Sequence, residues 1–491
     1  MATLVRTAFP FPSKAPSWFA GHMARSLREL PALLDEVDLV FEARDARLPL
    51  TSVNPAFDAM LDRVWGHSGS GPDRKGKGKE KIVVYTKRDL AEERYEKPLT
   101  TALWTQARQR VQFIDSRVDS DVRGLLRVAA LRARSAGESA TDLKVLVVGM
   151  PNVGKSSLLN ALRRVGVRKG KAFTTGAMPG VTRRLTGTVR VYDKPPVYVF
   201  DTPGVMVPYM GHGVAGVERG LKLALTAGLK EGLFEPEVVA DYLLYRLNLR
   251  LAAEAELTPD EFQHECYTAK LPGAIARTDD LTEFLDSLAL RLGALRKGGE
   301  RDVDAALTFL LKQFREGRLG RWTLDDVDGL EAAYGARHGV AVHEEKLAMS
   351  QLGAIGRQVV EEIPEIEEVV NDVEPVKEVE ALPSPAATLV EGVKVAAMVD
   401  DVPPPPLPAT LEERVSLTVG THIARAEEEK ADADAGRNMS ATQAKKAEMR
   451  AKVEFRLAKA KEKGLDRRRP VKTFGYHANR GKSASTKKRR K

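Results

Sequence analysis

The chain has 491 residues, 43% of them hydrophobic, a formal net charge of +9 and one cysteine, Cys266. That is enough apolar material for cores in two or three domains; it excludes an intrachain disulfide and fits a reducing interior compartment. No run of 18 apolar residues occurs, so no membrane-spanning helix is expected. The charge is lopsided: residues 441–491 hold 19 Lys/Arg against 4 Asp/Glu, a net of +15, so the residues before them sum to −6. A mildly acidic body with a basic tail points to a polyanionic partner, most simply RNA.

In chain order, the first acidic residue is Glu29, preceded by Arg6, Lys14, Arg25 and Arg28 with Ser13, Ser17 and Ser26. An acid-poor start of this kind has the composition of an organelle transit peptide. Pro10, Pro12 and Pro16 prevent a long amphipathic helix, so residues 1–16 read as a flexible N-terminus or a transit peptide. Short apolar runs at 38–42, 81–85, 111–114, 143–148, 189–192 and 197–200 read as strands. Helical patterns near 24–36, 54–64, 95–109, 119–135 and 155–165 lie between them. The alternation predicts an α/β fold: a mostly parallel sheet with helices on both faces. A Gly-, Ser- and Lys-rich stretch at 68–80 reads as a surface insertion. From 216 to 350 strand signals fade and helical patterns at 221–225, 238–251, 281–295 and 303–314 predict an α-helical domain. Residues 351–415 are acidic and Pro-rich, a linker by composition, and 416–491 read as a basic, partly helical tail.

Three motifs carry chemistry. Gly149-Met150-Pro151-Asn152-Val153-Gly154-Lys155-Ser156 fits G-x-x-x-x-G-K-[ST], a phosphate-binding loop between a strand and a helix. Its glycines let backbone N–H groups wrap a triphosphate, and the following helix points its positive end there. Lys155 is expected to reach the β- and γ-phosphates and Ser156 to ligate Mg²⁺, with Val153, Gly154 and Ser157 also lining the loop. Asp201-Thr202-Pro203-Gly204 has the form D-x-x-G; Asp201 is expected to bind Mg²⁺ through water, and the Gly204 N–H to sense the γ-phosphate. Thr182, between these motifs, is the candidate for a second hydroxyl ligand to Mg²⁺. Thr86-Lys87-Arg88-Asp89 resembles the guanine-reading N-K-x-D, with Thr where Asn is usual. The Asp89 carboxylate can accept from guanine N1–H and N2–H₂, a pattern adenine lacks. The Lys87 stem can cover the base, and Ser116 can close over it through its backbone. The base-reading element therefore precedes the phosphate elements, the order of a circularly permuted P-loop GTPase (17–215) with GTP and GDP as ligands.

Longer strings strengthen the reading. Trp18-Phe19-Ala20-Gly21-His22-Met23, Asp45-Ala46-Arg47-Leu48-Pro49, Gly298-Gly299-Glu300-Arg301-Asp302-Val303-Asp304 and Phe314-Arg315-Glu316-Gly317-Arg318-Leu319-Gly320-Arg321 occur in order. They resemble the circularly permuted GTPases of the YlqF/RbgA family, closest to its mitochondrial member, over residues 17–330. The resemblance implies GTP hydrolysis coupled to maturation of the large ribosomal subunit and contact with its rRNA. It implies a mitochondrial location, in the matrix or at the matrix side of the inner membrane with peripheral membrane association, and a monomer; cytosolic and nucleolar relatives keep cytoplasm or nucleolus as the alternative. Arg301, Lys312, Arg315, Arg318 and Arg321 are candidates to face RNA phosphates. Related enzymes use K⁺, and Asn152 matches the loop Asn associated with that ion. Residue 205 is Val, where Ras-type enzymes carry a water-orienting Gln, so hydrolysis is expected to be slow alone. His22 is a further candidate near the site. Catalysis is therefore assigned to Lys155, Asn152, Thr182 and Gly204. The competing readings are a low-turnover GTP-dependent RNA-binding scaffold and a P-loop ATPase.

Overall fold

A computed structural model of the chain describes residues 5–12, 30–66, 79–135, 142–170, 189–201, 213–257, 264–273, 275–338, 408, 410–434 and 449. Residues up to Ala426 form one compact unit; Glu427–Lys491 form another, in which only the end of one helix and Met449 are described.

Six strands form one sheet: β1 Leu39–Asp45, β2 Glu80–Thr86, β3 Arg110–Ile114, β4 Leu143–Gly149, β5 Val189–Tyr192 and β6 Val197–Asp201, in the order β3-β2-β1-β4-β6-β5. All pairs are parallel except β5–β6. Every residue of β1 is buried and β4 reads LKVLVVG, as strands covered on both faces require. One face packs Leu39, Phe41, Ile82, Val84, Val145 and Val147 against α3 (Asp119–Ser135) and α4 (Lys155–Val167). On the other face Val40, Leu146 and Val148 meet residues 30–36 and α1 (Pro55–Trp65), while Val83 and Tyr85 meet α2 (Glu96–Ala107). The entry to α1 is set by Asn54, whose side chain accepts from the Phe57 N–H, with Pro55 at the first helical position. The expected strands thus recur; β5 coincides with its apolar run and the other five reach one to three residues beyond theirs.

A helical part continues from β6: α5 Gly213–Leu225, α6 Pro236–Glu254, α7 Leu281–Leu292, α8 Val303–Arg315 and α9 Leu330–Arg337. Asp280 and Asp302 cap α7 and α8 by accepting from N–H groups of their first turns. α6 is buried over most of its length and is the axis of this core. The same apolar cluster includes Ala43, Leu48, Met150 and Val153, so the helices share a continuous core with the phosphate loop. Buried ion pairs reinforce the junction. Arg250 of α6 donates bidentately to Asp328 (2.8 and 2.9 Å) and to Glu254 (2.9 Å), and Tyr95 donates to Asp328 at 2.6 Å. Asp325 accepts from the Leu50 and Thr51 N–H groups and from the Thr51 hydroxyl.

Two expectations need correction. Residues 5–12 of the stretch read as a flexible N-terminus or a transit peptide are not free but pack on the helical part: Phe9 is buried at 5.2 Å from the Tyr242 ring, and Arg6 holds Asp241 through both terminal nitrogens (2.7 and 3.1 Å). Phe9, Phe11 and Arg6 dock the segment, while Pro10 and Pro12 disfavour a helix but not an extended docked segment. The helix α10, Leu411–Asp434, begins inside the stretch read as linker, and its first half belongs to the folded body. Val415 and Val419 are fully buried against the β2–α2 face, and Gln106 donates to the Ser416 carbonyl at 2.7 Å. Acidic composition around it masked a two-residue apolar stripe. The expected insertion at 68–80 and the part of the expected basic tail beyond 434 lie almost wholly outside the described residues.

Candidate nucleotide site

The phosphate loop runs from the last residue of β4 to the first of α4. Gly149 has φ 147°, and a Cβ there would lie 2.2 Å from the Ala43 carbonyl oxygen of β1, its register partner. Only glycine fits so close to a neighbouring strand. Asn152 (φ 57°) and Gly154 (φ 93°) take left-handed conformations, which turn the chain into α4. For Asn152 that conformation costs about 1–2 kcal/mol, least for short amide side chains. Its Nδ2 donates to the Ala227 carbonyl at 2.9 Å, in the turn after α5. Lys155 is buried, and its Nζ donates to the Met150 carbonyl at 2.8 Å, across the loop. Ser156 and Ser157 lie in the first turn of α4, where the helix leaves its N–H groups without helical acceptors.

The base-reading element follows β2. Thr86, its last residue, is fully buried. Its hydroxyl lies within hydrogen-bonding distance of the Arg44 carbonyl (3.0 Å) and of the Val153 carbonyl in the phosphate loop. One proton serves one acceptor at a time. Lys87 is left-handed (φ 56°) and donates to Asp45 Oδ2 at 2.8 Å. Burial lowers the pKa of its ammonium against the opposing pull of Asp45. Asp45 also accepts from Arg47 Nε and Nη2 (3.0 and 2.8 Å); burial opposes its charge, yet Arg47 and Lys87 hold the carboxyl well below its ordinary range. Asp89 sits in the 3-10 turn Arg88–Leu90, half-buried, with Oδ2 2.6 Å from an Arg117 nitrogen. Burial and then the Asp115 charge push its pKa up, and Arg117 pulls it down; the net direction is up. Ser116 lies in the turn after β3, closed by the Val118 N–H donating to Asp115 (3.0 Å), and its carbonyl accepts from Arg164 at 3.1 Å.

Asp201 ends β6 as the register partner of Val147, two residues before Gly149. The backbone of Asp201 therefore ends on the strand next to the one that leads into the phosphate loop and Ser156. Thr182, Gly204, Val205 and His22 lie outside the described residues. The remaining pieces share one edge: Asp45, Thr86, Ile114, Gly149 and Asp201 end parallel strands of the same sheet, the edge where such folds bind ligands. Stretches more than 60 residues apart touch through Thr86 and Val153.

A family described as 50S ribosome-binding GTPase matches residues 144–255. The mitochondrial ribosome-associated GTPase 1 of Xenopus tropicalis is 33% identical over 344 residues, 66% of this chain and 99% of that protein. The chain belongs to the family of mitochondrial ribosome-associated GTPases. Mitochondrial GTPase 1 of Schizosaccharomyces pombe is 34% identical over 349 residues, covering 67% of this chain and 94% of its own. The crystal structure of GNP-bound YlqF from T. maritima is similar at 22% identity, covering 61% of this chain and 97% of that one, with a TM-score of 0.38. Membership in this family makes the chain a mitochondrial enzyme that hydrolyses GTP to GDP and phosphate; GTPases in general work with Mg²⁺. Among the described residues no helix is long and apolar enough to cross a membrane.

The sequence reading of this mitochondrial GTPase missed some site residues. Asp45 and Arg47 entered only as part of a string; the signal was their place at the end of a strand and just beyond it, as for the other site elements. Arg117, on the base-reading carboxylate, was passed over because a lone Arg in a short turn carries no pattern. The candidate RNA-facing cations are each paired. Arg301 bonds Asp286, Arg318 bonds Glu316 (3.0 Å), Arg321 bonds Glu93 (3.2 Å), and Lys312 lies 3.9 Å from Glu316. Arg315 departs furthest from that expectation: it donates to the Ala224 and Leu225 carbonyls (3.1 and 3.2 Å), capping the end of α5.

Proposed function

We propose that this chain binds GTP at the strand edge bounded by Asp89 and Lys155, hydrolyses it slowly alone, and acts on the large subunit of the mitochondrial ribosome during its maturation. The contact between Thr86 and Val153 carries the reading, because it joins the base-reading and phosphate-binding loops into one cleft. The relatives named as ribosome-associated support the partner. In this reading Lys155 leaves the Met150 carbonyl for the β- and γ-phosphates, while the N–H groups of Val153, Gly154, Lys155, Ser156 and Ser157 wrap them. Asp89 and Lys87 hold the guanine, Thr86 tethers the loops, and the Ser116 turn closes over the base. Ser156, Asp201 and Thr182 would hold Mg²⁺, which neutralises phosphate charge when bound. The Gly204 N–H would sense the γ-phosphate.

K⁺ is part of the proposal, with Asn152 as its protein contact through Oδ1. Val205 offers attacking water no hydrogen bond, so positioning must come from elsewhere, and the ribosome is the proposed source. The basic tail after 440 is the proposed rRNA contact. The matrix is the proposed compartment, with peripheral contact to the inner membrane, and the chain is proposed to act as a monomer. The domain limits 17–215 and 216–350 are kept as the working division, with residues 411–426 reassigned to the body.

Phosphate release from GTP, measured with and without mitochondrial large subunits and in K⁺ or Na⁺, tests this. Stimulation by subunits, greater in K⁺ and absent in Lys155→Ala, is expected. Equal rates in all conditions, or full turnover in Lys155→Ala, would refute it.

A further inference from the structure

Arg117 sits on the carboxylate that the base-reading role requires. Its backbone N–H and Nε donate to Asp115 Oδ1 at 2.9 and 3.0 Å, and its Nη2 donates to Asp115 Oδ2 at 2.9 Å. The same Nη2 lies 2.6 Å from Asp89 Oδ2. The guanidinium is therefore anchored on Asp115 and bridges to Asp89. Asp89 is 25% exposed and Arg117 72%, so the inner member of the bridge is largely sheltered while its outer member stays in water.

The chemistry of the two competing donors is the same. Guanine is a cyclic guanidine: its N1–H and N2–H₂ present a planar pair of donors to a carboxylate, as an arginine fork does. We infer that Arg117 is a specificity-determining residue that occupies Asp89 in place of the base when the site is empty, and must yield Asp89 to guanine on binding. This rests on the assignment of Asp89 as the guanine reader. The bidentate hold of Asp115 keeps Arg117 beside the pocket after the exchange, so it can return when the nucleotide leaves. With Arg117 in place, Oδ2 of this largely sheltered carboxylate keeps a donor before the base arrives, and the cost of displacing Arg117 is taken from guanine affinity. The device thus weakens GDP retention without touching the phosphates.

The test uses the full-length protein and a fluorescent GDP. Arg117→Ala should bind GDP about two- to fivefold more tightly, mainly through slower release, as loss of one largely exposed ion pair implies. Arg117→Lys, a point charge without the fork, should fall between that variant and the parent. Raising ionic strength with choline chloride should shrink the gap between parent and Arg117→Ala, because salt screens the competing pair. A merely structural turn residue would weaken binding and show no such salt convergence. In an Asp89→Asn background Arg117→Ala should have no effect on binding. Asp89→Asn alone tests the underlying assignment, since an amide there should move preference from guanine toward xanthine, whose 2-oxygen accepts. If it does so while Arg117→Ala weakens or leaves unchanged GDP binding, the role of Arg117 is overturned and the base assignment stands. If Asp89→Asn leaves base preference unchanged, both fall.

Discussion

Thr86→Val isolates the contact on which the shared cleft depends. Valine keeps the branched shape of threonine and replaces only the hydroxyl, at a position that is 1% exposed. The hydroxyl proton is divided between the Arg44 and Val153 carbonyls, so one hydrogen bond is lost. A typical bond contributes about 1 kcal/mol, and a buried carbonyl left without a donor costs about 1–3 kcal/mol. Loss of about 1–3 kcal/mol from the nucleotide-free protein is therefore expected, read by urea unfolding. The share that reaches the nucleotide depends on whether the tether orders the phosphate loop. Were the whole cost shifted to binding, GDP affinity would fall about 5- to 150-fold, at 1.4 kcal/mol per factor of ten. Fluorescence titration should place the fall within that bound, with the larger effect on release. A Thr86→Val protein with parental stability and parental GDP affinity would show that the two loops do not lean on each other, and would remove the main support for a single pocket.

Further expectations concern the frame around the pocket. Arg250→Met should destabilise the protein by about 3–5 kcal/mol in urea, because it takes a buried cation away from the buried carboxylates Asp328 and Glu254. Asn152→Ala should abolish K⁺ stimulation of phosphate release and leave GDP binding within severalfold, whereas retained stimulation would confine Asn152 to its bond with Ala227. Glu254 is held at about pKa 2, against an ordinary 4.5; burial opposes its charge, but His264 and Arg250 prevail. Its folded-state pKa is depressed, so its contribution is complete above about pH 4.5 and disappears as pH falls toward 2. Thermal melts of Glu254→Gln should accordingly show a shallower loss of stability across that acid window than the parent.

Much of the site was legible because its chemistry is local. A strand, a glycine-rich turn and a helix start lie within a dozen residues at 143–156, and spacing alone identifies them. The strands were readable for the same reason: Leu143–Gly149 is apolar on both faces and needs no partner to be recognised. What was not legible depends on contacts across the chain. Asp45 has no local motif that says it will hold Lys87, 42 residues later. Val415 and Val419 look like isolated valines in a charged helix until Val83 and Tyr85 are set against them. Arg315 reads as a surface cation in a run of charges, yet the turn it caps lies 90 residues earlier. Periodicity reports which way a side chain faces, not which carbonyl waits there.

The permuted order becomes intelligible once the sheet is seen from β1. That strand lies between β2 and β4, and its residues serve both neighbours: the Ala43 carbonyl forces glycine at 149, the Arg44 carbonyl shares the Thr86 proton, and Asp45 holds Lys87. A GTPase needs its loops adjacent in the sheet, not consecutive in the chain, so a rotated sequence can build the same edge provided the central strand is in place. The rotation has a second consequence. The strand ending at Asp201 now leads, in chain order, into α5; the last residues of α5 give carbonyls to Arg315 of α8, and the turn just after it gives one to Asn152 of the phosphate loop. The end of α5 and the turn after it are therefore held by both the nucleotide site and the helical part. Ala227 is itself left-handed at φ 57°, a costly conformation for alanine, and its carbonyl takes the Asn152 amide. The permuted order thus leaves the phosphate loop bonded directly to the turn that follows the first helix of the helical part.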